Sequence, residues 1–103
     1  MVKFLRFKLS NGKTRLFNIN ACDIIKLKDA DTIEIFPVPF VDINTEWNIE
    51  RDTTVTTAIN FDGALVDLIY DALIKAELNS YANPIVDVNV PSKYAILDIR
   101  TIV

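Results

Sequence analysis

Residues 3–36 fall into short strand-like runs separated by turn residues, the first of them alternating with a period of two, and this patterning limits the possible folds more than any other feature of the chain. In the first run Leu5, Phe7 and Leu9 share one face, and Phe4, Arg6 and Lys8 share the other. Asn11-Gly12 then interrupts the pattern. Both residues tolerate positive φ, so the pair predicts a hairpin. The alternation returns over residues 14–20, with Phe17 and Ile19 inward. After Ala21-Cys22-Asp23, residues 24–28 read as a third strand. After Asp29-Ala30-Asp31, residues 32–36 read as a fourth, with Ile33 and Ile35 inward. The expectation is a compact meander of about four strands. The chemistry of the apolar residues agrees: 14 Ile, 9 Val and 8 Thr stand against 9 Leu, and stiff β-branched side chains suit a pleated surface better than a helix.

Beyond residue 36 the pattern changes. Pro37 and Pro39 bracket Val38, and proline cannot donate to a ladder, so this segment is expected at a sheet edge or in a crossover. Residues 40–49 alternate imperfectly and fit either a strand or an extended loop. The Thr-rich stretch 53–60 reads as a strand. Asp62 is a plausible N-cap for a single helix, in which Ala64, Leu65, Leu68, Ile69, Ala72, Leu73 and Ala76 recur at helical spacing. Val66, Tyr70 and Ile74 add a second apolar row, and Asp67, Asp71 and Lys75 form the polar stripe. Residues 79–84 end the helix, 85–90 alternate as a strand, Pro91-Ser92-Lys93 turns, and 94–103 is a final strand. With 103 residues the chain is one domain, 1–103. The expected class is mainly β with one α-helix: a small twisted sheet or partly open barrel with the helix packed on it.

The lone cysteine, Cys22, cannot form an internal disulfide, which fits a reducing compartment. No apolar run approaches the ~18 residues of a membrane span, and charges break the first six residues, which do not read as a signal peptide. The expected location is cytoplasmic or virion-associated.

Catalytic chemistry is scarce. The chain has no histidine, hence no imidazole base, no His zinc ligand and no Ser-His or Cys-His pair. Its only glycines, Gly12 and Gly63, leave no phosphate loop. Two carboxylate pairs remain. Asp29 and Asp31 sit in an evident turn, and Asp67 and Asp71 lie on the helix's solvated stripe with Lys75 one turn on. Neither pair has an identifiable third ligand. No catalytic residue, metal site, cofactor or small-molecule substrate is therefore expected. An enzyme is the third reading, with its site at a subunit interface.

The charge is split along the chain. Residues 1–28 carry seven bases and one acid, +6, and residues 29–103 carry four bases and thirteen acids, −9. One reading is that folding mixes the two sets over one surface. A second is head-to-tail attraction between copies, closing rings or extending filaments; the apolar arc of the helix, wider than one sheet face needs, agrees and makes Val66, Tyr70 and Ile74 the expected oligomer interface. A third is nucleic-acid binding by Arg6, Lys8, Lys13, Arg15, Lys26 and Lys28, with Phe4 beside Arg6 and Lys8, although the pI of about 4.8 is low for such a protein.

Leu9-Ser10-Asn11-Gly12-Lys13 and Phe17-Asn18-Ile19-Asn20 resemble the hairpin and polar loop of the first Sm motif, and Ile99-Arg100-Thr101 is similar to the second, with Thr101 where that motif has glycine. The resemblance is to the Sm/LSm-like small barrels and covers about half the chain. It implies a ring-forming homo-oligomer, and RNA binding through Asn20 and Arg100. The missing glycine, the absence of an N-terminal helix and the long internal helix depart from that family. The order of elements is also similar to short marine phage and marine metagenome proteins. The leading expectation is a non-catalytic homo-oligomeric assembly or accessory protein; the alternative is an RNA- or single-stranded-DNA-binding ring.

Overall fold

The computed structural model describes residues 3–19, 22–37, 46–79 and 84–102. In chain order these form β1 (Phe4–Lys8), β2 (Thr14–Asn18), β3 (Cys22–Asp29), β4 (Thr32–Pro37), β5 (Glu46–Arg51), α1 (Gly63–Leu78), β6 (Ile85–Asp87) and β7 (Ile96–Ile102). The fold is mainly β with one helix, as the alternation implies. The strands divide into two sheets, ordered β2-β1-β6 and β3-β4-β5-β7, which do not close into a barrel.

The meander expectation needs correction here. β1 and β2 pair antiparallel, and so do β3 and β4, but β2 does not pair with β3. Instead β1 takes β6 as a parallel neighbour, with Phe4 opposite Ile85 and Arg6 opposite Asp87. Period-two patterning fixes which face of a strand is buried; it does not choose the neighbour. The first hairpin also differs in detail. Gly12 has φ +84° and no other described residue has positive φ. The Gly12 N–H donates to the Leu9 carbonyl and the Leu9 N–H to the Lys13 carbonyl, so the loop is a three-residue turn in which glycine alone takes the left-handed position.

A second correction concerns residues 53–60, which turn rather than extend. Asp52 accepts hydrogen bonds from the Thr54 N–H at 3.0 Å and from the Thr54 hydroxyl, and Ala58 N–H bonds to Val55 carbonyl. Local side-chain bonds of this kind compete with a ladder, and they override the β-branched composition. The strand expected over 85–90 ends at Asp87, and the one expected over 94–103 begins at Ile96. The ambiguous 40–49 stretch contributes the start of β5; residues 40–45 lie outside the described residues.

The helix forms as its spacing predicts. Asp62 caps it, accepting from the Leu65 N–H at 3.1 Å, and Leu65, Ile69, Ala72, Leu73 and Ala76 are buried. α1 packs on β1, β3 and β6, bridging the two sheets. The core is one cluster. Leu5, Phe7 and Phe17 come from the first sheet, Ile25, Ile33, Ile35, Ile49 and Ile99 from the second, and the helix fills the space between. Each such side chain withdrawn from water stabilises the fold by roughly 1.5–3 kcal/mol.

One polar group in the core closes the helix's far end. Lys3 is buried, and its ammonium donates to the carbonyls of Glu77, at 3.0 Å, and Asn79. The last carbonyls of a helix lack intrahelical partners and carry partial negative charge, so Lys3 ties the approach to β1 to the C-terminus of α1.

Candidate functional site

The basic residues singled out in the sequence do not gather on one face. Arg6 and Lys8 point outward from β1, and Lys13 sits in the adjoining hairpin. Lys26 and Lys28 belong to the other sheet, as does Arg100. Asn20 lies outside the described residues. Acids from the later part of the chain meet most of the arginines: Arg6 pairs bidentately with Asp87, Arg15 lies 3.7 Å from Asp98, and Arg100 lies 3.1 Å from Glu50. The Arg6 pair holds the Asp87 carboxyl below the usual carboxylate range and raises the Arg6 guanidinium, chiefly through the hydrogen bond between them. Lys26 stands over the Phe36 ring, 5.5 Å from its centroid, and is in register with Glu34. Much of the charge split along the chain is thus mixed in space.

The carboxylate pairs have structural partners. Asp29 accepts from the Asp31 N–H at 2.8 Å, and Asp31 pairs with Arg51 at 2.6 Å. Asp67 and Asp71 are exposed on α1. Among the described residues no group of three His, Cys, Asp or Glu side chains could hold a metal ion, and no helix is long and apolar enough to cross a membrane.

Two places among the described residues bear on binding. The first is the edge of the larger sheet at β3. The Tyr70 hydroxyl accepts the Ile25 N–H at 2.7 Å, so α1 covers this edge at one point. Around that contact Ile24 (49%), Leu27 (38%) and Ile74 (52%) stay exposed, Ile74 lying one turn beyond Tyr70 on the same helix face. Of the three residues of the second apolar row, Val66 is buried in the core and Tyr70 packs against it. Much of the wide apolar arc is therefore spent within the chain, and Ile74 alone of that row faces solvent.

The second is a cleft of about 340 Å³ lined by Lys8–Ser10, Val55, Val90–Ser92 and Tyr94–Ile96. Its back wall is braced by a carboxylate: buried Asp52 accepts the Ser10 hydroxyl as well as Thr54, and its N–H donates to the Ala95 carbonyl. The Ser10 bond first, then those from Thr54, hold the Asp52 carboxyl below the usual range. Nearby, the Tyr94 hydroxyl donates to the cap residue Asp62 at 2.7 Å, which pushes Tyr94 up to about 12 and Asp62 down. Sequence reasoning missed this cleft and Asp52. The available signal was Asp52-Thr53-Thr54 directly after a strand, a spacing suited to a side-chain-closed turn.

No protein-family model, no curated protein and no solved structure matches this chain.

Proposed function

We propose that the protein is a non-catalytic assembly module that associates with further copies of itself, with the β3 edge as the contact. The observation that carries this reading is the edge itself: an eight-residue strand at the margin of a sheet, flanked by exposed Ile24, Leu27 and Ile74. Unpaired strand edges with apolar flanks are templates for pairing with another chain. Charge selects the mode. If two β3 edges met each other, Lys26 and Lys28 would approach their own copies, and facing like charges destabilise a strand pair. The N-terminal part of the polar stripe of α1, Asp67 and Asp71, ahead of Lys75, is the complementary surface. The Lys26/Lys28 stretch of the edge meeting Asp67 and Asp71 of another copy's helix is a head-to-tail contact, which closes into a ring or extends into a filament; the ring is the form in which the Sm-like expectation enters this proposal.

Light scattering at micromolar protein tests it. The expected result is a mass above the monomer that falls with added salt, a fall to monomer in Lys26→Glu/Lys28→Glu, and recovery when Asp67→Lys/Asp71→Lys is added to that pair. A sharp monomer mass indifferent to salt overturns the reading.

A further inference from the structure

The pairing of β1 changes hands part-way along the strand. The Phe4 N–H donates to the Pro84 carbonyl and the Arg6 carbonyl accepts the Val88 N–H, both on the β6 side. Two residues past Lys8, the Ser10 N–H donates to the Ile96 carbonyl of β7. Backbone groups alternate sides along an extended strand, so the N–H and C=O of Lys8 face the same way as those of Arg6 and Ser10, into the interval between β6 and β7. The chain that follows β6 turns aside from this interval: the Val90 N–H closes a tight three-residue turn onto the Val88 carbonyl, Pro91 has no N–H, and the Tyr94 N–H closes a further turn onto the Pro91 carbonyl. The cleft lies in that interval, with Lys8–Ser10 on one side and Val90–Ser92 with Tyr94–Ile96 on the other.

We propose that this cleft binds a short extended peptide segment, apolar at its centre and acidic beside it, which pairs with the Lys8 backbone as a one-residue continuation of the β6 side of the sheet. A donor and an acceptor from one strand residue match the acceptor and donor of one residue of an extended peptide, the arrangement used wherever a peptide adds to a sheet. Val55, Val90, Pro91 and Ile96 supply the apolar walls for its side chain. The rim is basic: Lys8 has no carboxylate within ion-pair distance among the described residues, and Lys93 adjoins Ser92 with its ammonium 5.3 Å from the centroid of the Tyr94 ring. The two acids bonded to cleft-lining residues are already engaged, Asp52 by Ser10 and Thr54 and Asp62 by Tyr94 and the Leu65 N–H. The site is separate from the β3 edge, so it stands or falls independently of self-association.

The test is amide NMR of the full chain titrated with a capped pentapeptide of alternating glutamate and valine, with its lysine–valine counterpart and with isovalerate. Saturable shifts at millimolar glutamate–valine peptide, centred on the amides of Lys8, Ser92 and Ile96, are expected. They should be at least threefold weaker with the lysine–valine peptide and absent in Ser92→Trp, which fills the cleft from an exposed position. Lys8→Glu should reverse the preference between the two peptides while leaving the backbone site in place. Equal shifts from isovalerate would assign the cleft to small carboxylates and overturn the peptide reading. No shift at these amides from any of the three, with the spectrum of the folded chain intact, also overturns it.

Discussion

The two sheets hold together by different means. The larger, β3-β4-β5-β7, is antiparallel throughout and shares a run of isoleucines on its inner face, and β3-β4 forms a hairpin of near neighbours in sequence. The smaller, β2-β1-β6, joins the first two strands to the penultimate one, and polar contacts between distant residues reinforce it: Arg6 with Asp87, Lys3 with the end of α1, Ser10 with Asp52. The larger sheet has ion pairs between its own neighbouring segments, Arg51 with Asp31 and Arg100 with Glu50; the smaller also reaches beyond itself, through Lys3 to α1 and through Ser10 to Asp52. The difference teaches where repeating patterns suffice and where individual contacts decide.

The comparison can be broken most forcefully in the core. Phe7→Ala, on the inner face of the small sheet, should cost roughly 3–5 kcal/mol, and Ile33→Ala, its counterpart in the large sheet, roughly 2–5 kcal/mol. Urea unfolding measures both, and a cost under about 1 kcal/mol for either would remove that residue from the core. Next comes Lys3→Met, which keeps the apolar stem and leaves two helix carbonyls without their donor, a loss of roughly 1–3 kcal/mol. Its signature is faster amide exchange in the last turn of α1 with β3-β4 unchanged. Tyr70→Phe removes the acceptor of the Ile25 N–H and should cost about 1 kcal/mol, with Ile25 amide exchange quickening first. Arg6→Ala should have the smallest effect, because exposed ion pairs contribute little.

Acid and base act on the corner where the sheets meet. Asp52 and Asp62 have carboxyls held below the ordinary value near 3.8. Their contribution is complete above that value and is lost as pH falls through their folded values. Tyr94 behaves in the opposite sense: raised from 10.0 to about 12, it contributes fully below pH 10, and the contribution disappears as pH rises through 12. Tyr94→Phe should therefore flatten the alkaline limb of a denaturation profile and leave unchanged the acid loss due to Asp52. An unaltered alkaline limb would show that the Tyr94–Asp62 bond does not couple to folding.

The same contrast explains what was legible in the sequence. Ile33, Ile35, Phe17 and the helical row from Leu65 to Ala76 report their burial through spacing alone, and the Asp62 cap is a local signal. The partner of β1 was not legible, because no pattern in residues 4–8 names residues 85–87. Residues 53–60 misled because β-branched composition is a weaker force than Asp52 closing a turn on Thr54. Among the candidate site residues, charge type was readable, but the pairing of Arg6, Arg15 and Arg100 with Asp87, Asp98 and Glu50 was not, since each depends on strands meeting across the fold. Tyr70 looked like spare apolar surface because its hydroxyl's acceptor role toward β3 leaves no trace in helical periodicity.

The parallel pairing of β1 with β6 also sets a schedule. During synthesis β1 and β2 leave the ribosome before the other elements of this fold and can form their hairpin at once, yet the strand that completes their sheet lies about 80 residues later. Until α1 and β6 emerge, Leu5 and Phe7 lack part of their cover and Lys3 has no helix end to bind. The nascent chain therefore carries an unfinished apolar face until those elements emerge, the interval in which a chaperone that recognises exposed strands would engage it.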